Sequence, residues 1–184
     1  IEKVNAYVTS SPEIQAGCMS FSKDSSIITL TSAVINLLNF DEIKFIMGHE
    51  LGHFLLSHNI EEQHINESQE GYIKKRAQEI SVDRVGLLAC KDIDIATKAI
   101  TKSLSGLSES YISFNMQGFL KQLDSDVAKN EESGQFSSHP SFILRVKALL
   151  RFSLSDPFLQ HATGTSGTNL QEIDKLIQND LNVY

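Results

Sequence analysis

The chain has 184 residues, 41% of them hydrophobic and 21% charged, which fits one globular domain with enough apolar material for a core. Its net charge is -7, and the short run Lys74-Lys75-Arg76 has no aromatic residues interleaved with it, so binding to a nucleic-acid backbone is excluded. No stretch approaches the roughly 18 consecutive apolar residues of a membrane span.

The first thirty residues read as strands. Lys3 to Thr9 alternates polar and apolar, Ser10 to Glu13 is a turn cluster, and Ala16 to Phe21 and Ser26 to Leu30 are two short strands joined as a hairpin. Thr31 or Ser32 can cap a helix over Ala33 to Leu38. Asn39 with Glu42 three positions later is a capping-box start for a second helix that ends near His58. Residues 59–71 are polar and acidic, a loop or frayed extension. A third long helix is expected over Tyr72 to Ala89, a short one near Ile95 to Leu104, and others over Tyr111 to Lys129, Phe142 to Phe152 and Leu170 to Leu181. Residues 130–140 read as a loop and residues 162–168 as a flexible linker. Cys18 and Cys90 are too few for a disulfide framework and wrongly spaced for a metal knuckle, and are read as small buried hydrophobes. The chain opens at Ile1 without a signal-like segment and is expected to be a piece of something longer.

The chemistry lies in His49-Glu50-Leu51-Gly52-His53, an HExxH motif inside the second helix. Residues four apart on a helix share a face, so both imidazoles can reach one ion. Glu50 sits about 100° round the helix from His49, offset from the ligand face but placed to touch a metal-bound water. Catalytic zinc generally takes three protein ligands. Leu56 and Asn59 exclude a histidine in the HExxHxxGxxH manner, and His58 and His64 come at the wrong offsets for that scheme. Glu79, 26 residues past His53 on the third helix, supplies the third ligand instead. Asp83, one turn on, can accept a hydrogen bond from the outer nitrogen of a histidine ligand and fix its tautomer.

The HExxH segment with Phe54 to His58, followed by Glu79-xxx-Asp83-Arg84, resembles the M48 family of gluzincin metallopeptidases. That family includes CAAX prenyl peptidases, a heat-shock peptidase of the bacterial inner membrane and periplasmic quality-control proteases. Val4 to Val8, Thr31 to Asp41, and Ser138-His139-Pro140-Ser141 followed by Arg145 to Leu149 also resemble family elements, so the likeness covers about residues 3 to 150.

The resemblance implies an α+β fold, a mainly helical zincin-like domain whose small antiparallel sheet near the N-terminus packs on the HExxH helix. Residues 1–160 would be the catalytic domain and 161–184 a linker with a helix beside it. A substrate polypeptide would lie along the edge strand Ala16, Gly17, Cys18 and Met19, although Gln15-Ala16-Gly17 departs from the family's Asn-Ala pair. His139 would assist at the oxyanion or occupy the open metal position, and Arg145 would pair with a carboxylate or the oxyanion. One Zn2+ per chain is the implied cofactor, with Glu50 as base in peptide-bond hydrolysis. The other reading is a zinc-binding module that is self-inhibited or inactive and serves as a chaperone or scaffold. Membrane attachment or further domains in a longer protein, and a cell-envelope, periplasmic or cytoplasmic location, are left open.

Overall fold

The alternation at the start of the chain becomes strand β1, Lys3–Thr9, followed by β2, Ala16–Ser20, and β3, Ser25–Thr31. The computed structural model describes residues 3–20, 25–58, 68–112, 118 and 140–183. The sheet order is β1-β3-β2, with β2 antiparallel to β3 and β1 parallel to it. The sheet is therefore mixed, where a purely antiparallel one was expected. The reason is the connection 10–15, which crosses the C-terminal end of β3 before turning back into β2. Two hydroxyls hold that crossing: Thr31 Oγ1 donates to Glu13 O at 2.6 Å, and Ser32 Oγ donates to Ser11 O at 3.0 Å. The residues joining β2 to β3 lie outside the described set.

Helix α1, Ser32–Leu37, is capped by Thr31, whose side chain also accepts from Val34 N. Helix α2, Phe40–Leu55, starts at a complete capping box, with Asn39 Oδ1 accepting from Glu42 N at 3.0 Å and Glu42 Oε2 accepting from Asn39 N at 2.8 Å. Helix α3, Gln69–Cys90, begins earlier than expected because Ser68 Oγ accepts from Gly71 N and caps it. Helix α4, Ile93–Ser105, is capped by Asp92 and closed by Gly106 in the left-handed region. Beyond residue 140 come α5, Phe142–Ser153, α6, Asp156–Ala162, and α7, Leu170–Val183. Of these, α6 was not expected; Ser155 caps it and Pro157 stands in its first turn. The helix expected over 111–129 lies almost wholly outside the described residues.

Among the described residues, apolar faces meet in three places. Leu30, Val34 and Leu38 join Ile43, Ile46 and Met47 where the sheet rests on α2. Phe45, Leu87, Ile100, Leu149 and Phe152 bind α2 to α5 together. Ile80, Leu144, Ala148, Ile173, Ile177 and Leu181 seat α7 on α3 and α5. The segment expected as a flexible linker is pinned: Thr168 N donates to Leu154 O, Asp156 N donates to Thr168 O, both at 2.8 Å, and Gly167 N donates to Asp156 Oδ1. Cys18 and Cys90 form no disulfide, and both are only partly buried rather than the fully buried hydrophobes expected.

The closest helix contact is α2 against α3. A Cβ on Gly48 would meet the Gly86 Cα at 2.9 Å, and one on Gly86 would meet the Phe45 carbonyl oxygen at 2.8 Å. Glycine at both positions lets the two backbones approach more closely than any side chain would permit. Nothing in the spacing of the motif announced that contact, yet it brings the two functional faces together.

Candidate metal centre

Residues 45, 48, 49 and 52 of α2 share the face that meets α3, so the glycines that permit contact are interleaved with the histidines. On α3, Glu79, Asp83 and Gly86 recur at helical spacing along the opposing face. Ligand atoms of His49, His53 and Glu79 all lie within 4.8 Å of one another. His49 Nε2 is 3.4 Å from His53 Nε2 and 3.7 Å from Glu79 Oε2, and His53 Nε2 is 3.5 Å from Glu79 Oε1. Ligands about 2.0–2.1 Å from one tetrahedral ion stand about 3.3–3.4 Å apart, so this donor set fits zinc-like coordination with small adjustment. A tetrahedral ion held by these three donors would keep a fourth position for a reactant.

The outer nitrogens are held as well. His49 Nδ1 lies 2.9 Å from Asp83 Oδ1, which fixes the ring so that Nε2 points to the centre. Arg145, from the first turn of α5, grips the same carboxylate with two bonds, Nε to Oδ2 at 2.8 Å and Nη2 to Oδ1 at 2.5 Å. Burial alone would push the Asp83 carboxyl up, but the Arg145 charge and the hydrogen bonds from Arg145 and His49 hold its pKa at about 2. Burial is the largest single influence on His49 and opposes its charge, yet the bond to Asp83 together with the Asp83 and Glu79 charges outweighs it and raises the imidazole's proton affinity. Burial also pushes the Glu50 carboxyl above its ordinary range.

The sequence-derived residues fall as follows. His49, His53 and Glu79 converge; Asp83 stands behind His49; Arg145 is bound to Asp83 and lines the neighbouring cavity. Glu50 lines that cavity too. Ala16, Gly17, Cys18 and Met19 form β2, an edge strand of the sheet that packs against α2. His139 lies outside the described residues. Sequence reasoning set His58 aside as a ligand and gave it no role; it is buried with Nδ1 3.3 Å from His53 Nδ1. That reasoning also missed the cavity, about 240 Å³, that His49, Glu50, Glu79 and Arg145 line together with the aliphatic Ile14, Val34, Ile46 and Ile100. Those four come from three separate helices and the crossing loop, which no local pattern relates.

Two helix-borne histidines and a carboxylate from the next helix form a group that could hold a metal ion, with a glutamate beside them. The comparisons point the same way. Peptidase family M48 matches residues 2–73, a span that contains His49, Glu50 and His53 and stops short of Glu79. The chain is also similar to the plastoglobule-localized metallopeptidase 48, chloroplastic, of Arabidopsis thaliana. The two are 25% identical over 183 aligned positions, covering 84% of this chain and 53% of that protein. The chain thus spans about half the length of that curated relative. No solved structure matches it significantly. Both likenesses support a metallopeptidase. Among the described residues no helix is long and apolar enough to cross a membrane.

Proposed function

We propose that this chain is a zinc metalloendopeptidase unit of the gluzincin type, with His49, His53 and Glu79 as metal ligands and Glu50 as general base. The observation that carries this reading is the convergence of the three donor groups at tetrahedral spacing. Bound there, zinc would supply Lewis acidity and make water acidic enough to attack at neutral pH. Glu50 takes the proton from the attacking water and returns it to the leaving amine, a role suited to a carboxyl whose pKa burial has raised. Asp83 and Arg145 keep His49 in the tautomer that offers Nε2 to the metal. A polypeptide pairs with β2, the edge strand among the described residues, and its backbone hydrogen bonds supply affinity without regard to sequence.

The cavity beside Glu50 receives one substrate side chain. Its volume of about 240 Å³ is below the roughly 300–1,000 Å³ of small-molecule sites, so it suits a single residue. Its aliphatic side, Ile14, Val34, Ile46 and Ile100, favours an apolar side chain, and His49, Glu50, Glu79 and Arg145 line the side that carries the chemistry.

The test is one experiment on zinc-loaded protein, native beside Glu50→Gln, incubated with an unfolded polypeptide and analysed by mass spectrometry. About one zinc per chain is expected in both, with cleavage near apolar residues falling about 10²- to 10⁴-fold in the variant. A native chain that holds one zinc but cuts nothing, or a variant that cuts equally well, would sink the assignment.

A further inference from the structure

We infer that His58 is the positioning residue for the ligand His53, holding its ring from behind as Asp83 holds His49. The inference rests on the metal-centre reading and goes beyond it to a residue that the HExxH pattern does not include.

The geometry begins at the end of α2. Leu56 is its C-cap, and Ser57 then takes φ 59, a left-handed conformation that costs a non-glycine residue of order 1 kcal/mol. Five positions past His53, His58 would point well away from the ligand face if the helix continued. The reversal at Ser57 turns it inward instead, where it is 6% exposed. Its ring meets that of His53 edge-on, centroids 5.3 Å apart at 76°, with the two Nδ1 atoms 3.3 Å apart. Strain at a helix end that delivers a buried polar ring to a ligand's outer nitrogen is arranged for position.

The protons then follow. A neutral His53 that offers Nε2 to a metal carries its proton on Nδ1. That N–H faces His58 Nδ1, and two ring nitrogens can bond only as one donor and one acceptor. His58 must therefore present its Nδ1 lone pair and carry its own proton on Nε2. The two ligands are thus oriented by different chemistry, His49 by an anion and His53 by a neutral imidazole.

The test compares zinc affinity of the native chain with His58→Phe, His58→Asn and His58→Gln, by competition between Zn2+-loaded protein and a chromophoric chelator. Phe keeps the ring contact and removes the acceptor. Asn places its amide oxygen where Nδ1 stands, whereas Gln places it where Nε2 stands. Affinity should fall about 10- to 100-fold for Phe and Gln, the usual loss when a ligand's outer partner is removed, and stay near native for Asn. The visible spectrum of Co2+-substituted protein should change in the same order, while the melting temperatures of the metal-free forms do not follow it. Native affinity in Phe and Gln, or loss in Asn as deep as in Gln, overturns the inference and leaves His58 as packing. If Phe does not fold, the contrast of Asn with Gln decides. A native chain that binds no zinc defeats the metal-centre reading itself, an outcome separate from equal binding by all four proteins.

Discussion

Helix α3 is held on two sides by contacts of opposite character. Towards α2 the contact is made by backbone: Gly48 and Gly86 nearly touch, and Gly52 sits against Val82. Towards α5 and α7 it is made by side chains, with Ile80, Leu144, Ile173, Ile177 and Leu181 interdigitating. Ion pairs rim that second contact, Arg84 to Asp174 at 2.7 Å and Lys147 to Asp180 at 2.9 Å. The first surface has little room to relax and carries the candidate ligands. The second can repack, and α7 contributes no residue to the cavity beside Glu50. One face fixes positions, whereas the other contributes stability.

Three measurements would break or sharpen that contrast. The largest effect is expected on the stabilising face. Ile177→Ala should destabilise the chain by about 2–5 kcal/mol in denaturant unfolding, yet leave zinc affinity of the folded protein unchanged. A loss of affinity there would mean that α7 also sets ligand geometry.

The positional face should behave in the reverse sense. Gly86→Ala puts a methyl against the Phe45 carbonyl and ring, at 2.8 and 2.9 Å, so α2 and α3 must part. A cost of about 1–3 kcal/mol is expected from overpacking. Separation of His49 from Glu79 should lower zinc affinity about tenfold or more, as loss of ligand support does. Full affinity with reduced stability would show that the glycine contact does not govern the centre.

The third effect is electrostatic. The Asp83 carboxyl, held at about 2 in the fold, has an unfolded value near 4, so it stabilises the fold above about pH 4. That contribution, about 2 kcal/mol, should disappear as pH falls through about 2. Measured on metal-free protein, Asp83→Asn should be less stable than native at pH 6 and should converge on it near pH 2. Parallel curves would show that the Arg145 and His49 contacts do not stabilise the ionised carboxyl.

The readings from sequence succeeded where a short stretch of chain contains its own cause. The capping box from Asn39 to Glu42 spans only four residues, and it forms. The edge strand β2, the histidine pair and the long α3 follow from local period. Glu42 shows the limit. As a cap it was legible, but it is wholly buried and accepts a second bond from Lys102, sixty residues on. The short helix α6 was missed because the seven residues from Asp156 to Ala162 are too few for periodicity to register.

What the sequence determined by itself was the chemical inventory: two imidazoles one turn apart, a glutamate between them, and an Asp-Glu pair on a later helix. Helical spacing alone puts the two imidazoles on one face of α2 and the Glu79–Asp83 pair on one face of α3. Tertiary structure decided the rest. The glycine contact sets how near Glu79 comes to the histidines, and the crossing loop makes the sheet mixed. A reversal at Ser57 returns His58 to His53, and Arg145 reaches Asp83 from 62 positions away. Those outcomes depend on which backbones approach and at what distance, and that is fixed by packing among segments far apart in the chain.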